Sequence, residues 1–356
     1  MFKQSDYENY DYRQFWQDNK RLYEDSAERI VIKKFIRPLE KQGRVFIDLG
    51  CGFGRLFSEY KDFEKIILVD YSVNNLKNAK GAIAKYMNYD KALLKKVAFV
   101  AADVASLPFK SSFADVAMTV RVIHHLDNVE KFINEVSRIL KPGGYFLLEF
   151  ANKRNLKNIL KFMFGKLKQS PFDSRPLQIG ATILDYHPKF IKSLLKQTGF
   201  KILRQVSASN YRLGFLKRHI NLKVLLFFEN IYQNIFSFID TGPSIFLKTV
   251  NVGPLQAGLA QTNPAGIDST GAASVDAVPT EADLTGAEPV KAGLAVYNLA
   301  AVPASQETIE SFEDFKTIFC CPSCRDENLK IDSGGKVLCT SCNCEFYIDD
   351  GIYIFK

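Results

Sequence analysis

The chain has no long apolar run. Nowhere in its 356 residues does a stretch approach the ~18 uncharged apolar residues that cross a bilayer. The longest candidate, Val224 to Phe228, is closed off by Lys223 and Glu229. The start, Met1-Phe2-Lys3-Gln4-Ser5-Asp6, has no apolar signal core. The expectation is a soluble, cytoplasmic protein. Cysteine is scarce over most of the chain: Cys51 stands alone, and the other six of seven lie between Cys320 and Cys344. A secreted disulfide scaffold spreads its cysteines through a short chain, so this clustering points to a metal site instead. Phenylalanine vanishes between Gly253 and Ala304, which hold 13 Ala, 6 Gly and 5 Pro in 52 residues, against 29 Phe in the whole chain. That stretch lacks material for a core, and 251–311 is predicted to be a low-complexity linker.

Acidic residues are nearly missing from 152–223. There 16 Lys and Arg face only Asp173 and Asp185, a net +14 in a chain whose total is +8, which leaves −6 for the rest. Such a block attracts anions: phosphates, RNA or an anionic membrane surface. A solvated surface of Lys-rich helices gives the same pattern.

What is present is globular. The chain is 47% hydrophobic, 13% aromatic and 24% charged, and its length suits two or three units. Residues 1–40 are aromatic and polar, and Ile30, Ile32, Phe35 and Ile36 fall near helical spacing, so a helical lid is predicted there. From residue 41 to 250 short apolar strands alternate with helices. Strands are predicted at 44–49, 65–70, 97–101, 114–120, 145–150, 201–206 and 244–250. Helices are predicted from Arg55, at 73–86, at 129–140 before Pro142-Gly143-Gly144, at 188–198 and around 222–238. This alternation indicates an α/β fold with a largely parallel sheet covered on both faces.

The strongest motif is Asp48-Leu49-Gly50-Cys51-Gly52-Phe53-Gly54, between a predicted strand and a predicted helix. Glycines there permit a tight turn and let a ligand approach the backbone. Asp70 ends the next strand, 22 residues after Asp48, where a carboxylate can accept from both hydroxyls of a ribose. Asp103 ends the third strand, placed to accept from an adenine amine. The spacing is G-x-G-x-G and not the G-x-G-x-x-G that seats a dinucleotide pyrophosphate. The loop, Leu68-Val69-Asp70-Tyr71-Ser72, Ala102-Asp103-Val104 with Leu107-Pro108-Phe109, and Lys141-Pro142-Gly143-Gly144 together resemble class I S-adenosylmethionine-dependent methyltransferases over about residues 10–250. The resemblance implies a Rossmann-like seven-stranded sheet and S-adenosyl-L-methionine as cofactor. It implies Gly50, Cys51 and Gly52 as backbone contacts, with Asp48 orienting the loop or the amino group. It places Asp70 at the ribose, Asp103 and Val104 at the adenine, and Val120 and Arg121 at the methionine side, with Tyr71 also among the cofactor-binding residues.

The implied reaction is attack on a sulfonium methyl, so the protein must mainly position the partners and exclude water. A base helps only where the acceptor carries a proton. His124 and His125 are the candidates, against the plainer reading that they pack or cap the next helix. His187 is a weaker one. The Asn/Asp-Pro-Pro-aromatic motif that such enzymes use on amino groups is absent; Arg121-Val122-Ile123 stands in its place. This favours an oxygen, carbon or other acceptor.

At the far end, Cys321-Pro322-Ser323-Cys324 and Cys339-Thr340-Ser341-Cys342 are separated by fourteen residues. Two short loops with two thiolates each satisfy tetrahedral zinc, and four thiolates make a closed structural site. Cys320 and Cys344 are spare. The ending Cys344-Glu345-Phe346-Tyr347-Ile348-Asp349-Asp350-Gly351-Ile352-Tyr353 resembles the zinc-ribbon activator subunit of tRNA- and release-factor-modifying methyltransferases. The resemblance implies that 312–356 is a zinc-ribbon-like domain that either docks in cis on 41–250 or recruits RNA or a protein partner. The leading expectation is methyl transfer to a small or lipid-linked, anionic acceptor. The alternatives are a tRNA or protein methyltransferase with a fused activator, and a cofactor-binding scaffold without catalysis.

Overall fold

The structure, a computed structural model, describes residues 12–16, 21–40, 44–180, 182–253 and 316–356, all within one compact unit. Tyr7 and Tyr10 of the predicted lid, and the predicted linker beyond Gly253, lie outside the described residues.

The first strands are β1 (Val45–Leu49), β2 (Lys65–Asp70), β3 (Val97–Ala101), β4 (Ala114–Thr119) and β5 (Leu140–Ala151). They are followed by a small hairpin, β6 (Leu177–Ile179) and β7 (Ile183–Asp185), then β8 (Phe200–Ala208) and β9 (Ser244–Asn251). The last four are β10 (Leu329–Ile331), β11 (Lys336–Cys339), β12 (Glu345–Asp349) and β13 (Ile352–Ile354). The helices are α1 (Leu22–Ile36), α2 (Val73–Tyr86), α3 (Lys91–Leu94), α4 (Val129–Ile139), α5 (Leu156–Met163), α6 (Pro188–Gln197), α7 (Gly214–His219) and α8 (Leu222–Ile235).

Apart from the small hairpin, the strands form one sheet, in the order β10-β11-β12-β13-β3-β2-β1-β4-β5-β9-β8. Strands β1 to β5 are parallel to one another, and β9 is antiparallel to β5 and β8. The seven strands from β3 to β8 are the Rossmann-like methyltransferase arrangement. Their β-branched runs are buried on both faces, as a covered parallel sheet requires. The pleat divides the core: Ile47, Ile67, Val69 and Val100 pack on one face, and Phe46, Ile66, Leu68 and Phe99 on the other. Helix α2 is capped by Ser72 Oγ, which accepts from Asn75 N at 3.1 Å, and α4 by Asn128 Oδ1, which accepts from Lys131 N at 2.8 Å.

Two local expectations change. No α-helix follows the glycine loop; a 3-10 turn at Phe57–Glu59 stands there. Only ten residues join the loop to β2, and Tyr60 turns inward to stack on Phe46 at 4.4 Å. Pro142-Gly143-Gly144 does not precede its strand but lies inside β5. The register slips between Ala114 and Val116, and Gly143 takes φ +80°.

One consequence positions the site. The carboxyl ends of β1 to β5 and of β8 share one edge of the sheet. The segments 152–187, after β5, and 209–243, between β8 and β9, both emerge there. At the opposite flank, β13 runs parallel to β3, with Ile352 beside Phe99, Tyr353 beside Val100 and Ile354 beside Ala101. Phe319, Phe346, Tyr353 and Phe355 belong to the same buried cluster as Val69 and Val100.

Candidate active site

The loop after β1 turns on three glycines, Gly50, Gly52 and Gly54, with φ of +80°, +56° and +74°. Gly50 is also sterically obliged: a Cβ there would lie 2.2 Å from Val122 Cγ2. The amides of Gly50 and Cys51 donate to Val69 O at 2.7 and 2.9 Å, which lays the loop along the end of β2. Asp70 fixes its height. One carboxylate oxygen accepts from Gly52 N at 2.8 Å, and the other from Ser72 N at 2.9 Å and Asn75 Nδ2 at 3.3 Å. Asp48 lies beneath, buried, and accepts from the Tyr60 hydroxyl at 2.5 Å. Burial pushes its carboxyl up to about 7 against the help of Tyr60 and Arg55, with the Asp70 charge adding to the rise. Burial and the same two carboxylates push the Cys51 thiol well up, so it is a loop residue and not an activated nucleophile.

The other sequence-derived residues gather at the same edge. Tyr71 follows Asp70 and is exposed; its carbonyl accepts from Lys356 Nζ at 2.7 Å, and that ammonium also lies 4.4 Å from the ring centroid. Asp103 is exposed and accepts from Ala105 N at 2.8 Å, while Val104 is buried. Val120 is buried, and Arg121 takes φ +62°, a left-handed conformation rare outside glycine. That strain is held from two sides: Arg121 N donates to Glu149 Oε2 at 2.7 Å, and its Nε donates to Glu28 Oε1 at 2.7 Å.

Glu28 belongs to a cluster that sequence reasoning did not assign. It lies on α1, is fully buried, and pairs through its second oxygen with Arg55 at 2.8 Å. Arg55 also bonds Asp25 and stacks 3.8 Å over the Trp16 ring; Arg29 ties Asp25 to Glu59, at 2.7 Å to each. The N-terminal helix is thus strapped by two acids to the glycine loop and to the turn after β4. The signal was the run of acids Glu24, Asp25 and Glu28 in the first two turns of α1.

His124 and His125 form a 3-10 turn with Ile123, with ring centroids 4.1 Å apart. His125 Nδ1 lies 3.1 Å from Thr182 O. His124 Nδ1 is buried and has no hydrogen-bond partner among the described residues. Burial, with the His125 and Arg121 charges, holds its pKa well below the usual histidine value. It is therefore a neutral imidazole at physiological pH. His187 has a structural role: its Nδ1 caps α6 by accepting from Lys189 N at 3.1 Å. Asp185, not singled out by sequence, has its carboxyl raised to about 6 by burial, against the opposing charge of Arg212 and a bond from Asn158.

The Methyltransferase domain family matches residues 47–148, from β1 through the glycine loop, Asp70, Asp103 and Arg121 to β5. The chain is a class I S-adenosylmethionine-dependent methyltransferase. It is 30% identical over 169 residues to an uncharacterized protein of Methanocaldococcus jannaschii, covering 47% of this chain and 67% of that protein. It is 27% identical over 199 residues to the ubiquinone/menaquinone biosynthesis C-methyltransferase of Stutzerimonas stutzeri, covering 51% and 74% of the two chains. Among solved structures it is similar to magnesium protoporphyrin IX methyltransferase of Synechocystis PCC 6803 with bound SAH, at 17% identity and a TM-score of 0.44, over 67% of this chain and 87% of that one.

A second constellation of the methyltransferase lies at the other end of the chain. The Sγ atoms of Cys321, Cys324, Cys339 and Cys342 all lie within 4.8 Å of one another. Those of Cys321 and Cys342, and of Cys324 and Cys339, are 3.5 Å apart. Four thiolates around a tetrahedral ion with metal–sulfur bonds of about 2.3 Å stand roughly 3.8 Å apart, so the donor set fits zinc. Its neighbours bind it to the catalytic sheet: Arg325 donates to Leu107 O at 2.7 Å and pairs with Glu135 at 3.0 Å, and Cys320 N donates to Pro108 O at 3.0 Å.

Proposed function

We propose that the protein methylates a small or lipid-linked, anionic acceptor. S-adenosylmethionine, when bound, supplies a methyl group on a sulfonium centre open to in-line attack. In this reading the backbone of 50–52 and the side chain of Asp70 hold the ribose side. The Asp70 carboxylate is aimed by Gly52 N and Ser72 N at the carboxyl end of β2. Tyr71, Asp103 and Val104 flank the adenine, and Val120, Arg121 and Asp48 the methionine end. The α1 strap covers the crevice and excludes water. His124, neutral and without a hydrogen-bond partner at Nδ1 among the described residues, takes the proton of a protic acceptor as a weak base, since burial and the His125 and Arg121 charges oppose its protonation, with His125 beside it.

The observation that carries the acceptor class is charge. The two segments that rim the carboxyl edge, 152–187 and 209–243, hold eleven Lys and Arg against four acids, a net +7. That rim draws an anion towards the crevice. The similarity to an enzyme named for ubiquinone and menaquinone biosynthesis supports a lipid-like acceptor. The test is incubation with methyl-labelled cofactor and separated lipid, metabolite, RNA and protein fractions. Label should enter an acidic lipid or metabolite. Label in RNA or protein overturns this reading in favour of a second one, a tRNA or protein methyltransferase with a fused zinc-ribbon activator. The pairing of β13 with β3 and the four-cysteine cluster lend that second reading its support. Cofactor binding with no label in any fraction leaves a scaffold.

A further inference from the structure

Large apolar side chains are exposed unevenly. Of 22 such residues among the described residues, 15 lie in 152–187 and 209–243, about a quarter of the described chain. Phe164, Phe215 and Phe238 are 73%, 70% and 75% exposed.

The helices that carry them are inverted. On α5 the one buried residue is Asn158, which donates to Lys153 O at 3.0 Å. Leu156, Leu160 and Met163, at i, i+4 and i+7, form the outward stripe, and Phe164 follows. On α8 the inward row is Leu225, Glu229 and Gln233, at i, i+4 and i+8. Glu229 accepts from Tyr23 Oη at 2.6 Å and from the amides of Ser209 and Asn210, and Gln233 donates to Ala27 O at 3.1 Å. Val224, Phe227, Phe228 and Ile235 face outward. A water-facing helix puts its polar side out and its apolar stripe in; these two do the reverse.

They are also neighbours. Leu156 N at the start of α5 donates to Thr241 O at 2.8 Å, and Arg154 pairs with Asp240 at 2.9 Å, both just after α8. All four acids of the two segments are engaged inside the protein: Glu229 under α8, Asp173 with Lys153, Asp240 with Arg154, and Asp185 with Asn158. Lys157, Lys161, Lys166, Lys168, Arg218 and Lys223 are exposed around the apolar rows.

We propose that this surface docks on an anionic lipid bilayer. An apolar face interleaved with unbalanced cations matches both the acyl boundary and the charge of such a membrane. RNA fits it less well, because eight of the fifteen are Leu, Ile, Val or Met, which offer no stacking plane for bases; the seven Phe do offer one, so the RNA arm of the test below decides between the two. No helix among the described residues is long and apolar enough to cross a membrane, so the contact is interfacial. Because both segments spring from the carboxyl edge, docking turns the methyltransferase crevice towards the membrane. That the bilayer delivers the acceptor rests on the lipid-linked reading above; the docking does not.

The test is co-sedimentation of the full chain with vesicles of phosphatidylcholine alone or with about 30% phosphatidylglycerol. Binding is expected to the anionic vesicles only, weakening as salt rises. The pairs Met163→Ser with Phe164→Ser, Phe227→Ser with Phe228→Ser, and Lys161→Glu with Lys168→Glu should each weaken it about tenfold or more, with melting temperature and cofactor affinity kept. Three results overturn the proposal: no preference for anionic vesicles, a dimer that the Ser variants dissociate, or RNA binding lost in these variants without vesicle binding in the parent. Vesicle binding without methylation of any lipid leaves the docking standing and overturns the lipid acceptor; lipid methylation without vesicle binding does the opposite.

Discussion

At the scale of the residue, Asp48 concentrates the cost of building the site. A carboxylate sealed under the glycine loop is disfavoured in its charged form. Its folded pKa, about 7, lies above its ordinary value of 3.8. Protonation of Asp48 therefore favours the folded state: its contribution to stability is fullest below about pH 4, falls as pH rises through the window to about 7, and stays lowered above it. Asp48→Asn keeps an acceptor for the Tyr60 hydroxyl and removes the charge. Urea unfolding at several pH values should show a shallower slope across that window than the parent, with Asp185, raised to about 6, keeping the remainder, and the variant should gain about 1–4 kcal/mol at pH 8. A slope equal to the parent's shows that Asp48 is not the group that titrates. Asp48 was visible in the sequence as the acid before the loop; its burial and its bond to Tyr60 were not, because neither residue's spacing shows which way Tyr60 turns.

Among the elements, α1 is the one tied to the site from two sides. Its apolar face packs on the sheet, but Asp25 and Glu28 reach the glycine loop and the turn after β4. Glu28→Gln keeps the shape and removes the charge shared by Arg55 and Arg121. Arg55 and Arg121 retain some contact with water, with side chains 12% and 17% exposed. The expected loss of stability is therefore near the low end for a broken buried pair, about 3 kcal/mol. Denaturant unfolding reads that loss, and stopped-flow dissociation of the cofactor should show faster release from the folded variant. Unchanged release would mean that the strap holds the fold and not the crevice. Helix periodicity predicted this element but not its partners, since an ion pair between residues 28 and 121 is a product of the sheet order.

For the whole molecule, the C-terminal strands continue the catalytic sheet. Phe319, Tyr353 and Phe355 are buried against residues of the parallel strands, and Lys356 reaches Tyr71 just after the carboxyl end of β2. A metal that organises the four cysteines thereby supports β13 on β3 and the core beneath it. Removal of metal by a strong chelator should lower the melting temperature by several degrees and weaken cofactor binding, both restored by zinc. The decisive readings are a metal assay on the purified chain and calorimetric cofactor titration before and after chelation. A chain that carries no metal and loses neither property would make the cluster an ordinary set of thiols.

The sequence alone determined the strand-and-helix alternation, the glycine loop, the aspartates at the end of β2 and just beyond β3, and the paired Cys-x-x-Cys motifs. Each is written in local spacing, where a period of two or a fixed turn leaves its mark on neighbouring residues. It misread the segment after the loop, because helix propensity ignores how short the return to β2 is, and it ended β4 one residue late. Only the tertiary structure decided that β13 completes the sheet at β3, that α1 is tied down through Glu28, and that α5 and α8 carry their apolar sides outward. Those facts depend on contacts between residues far apart in the chain, and on which face of a helix finds the core, neither of which periodicity can express.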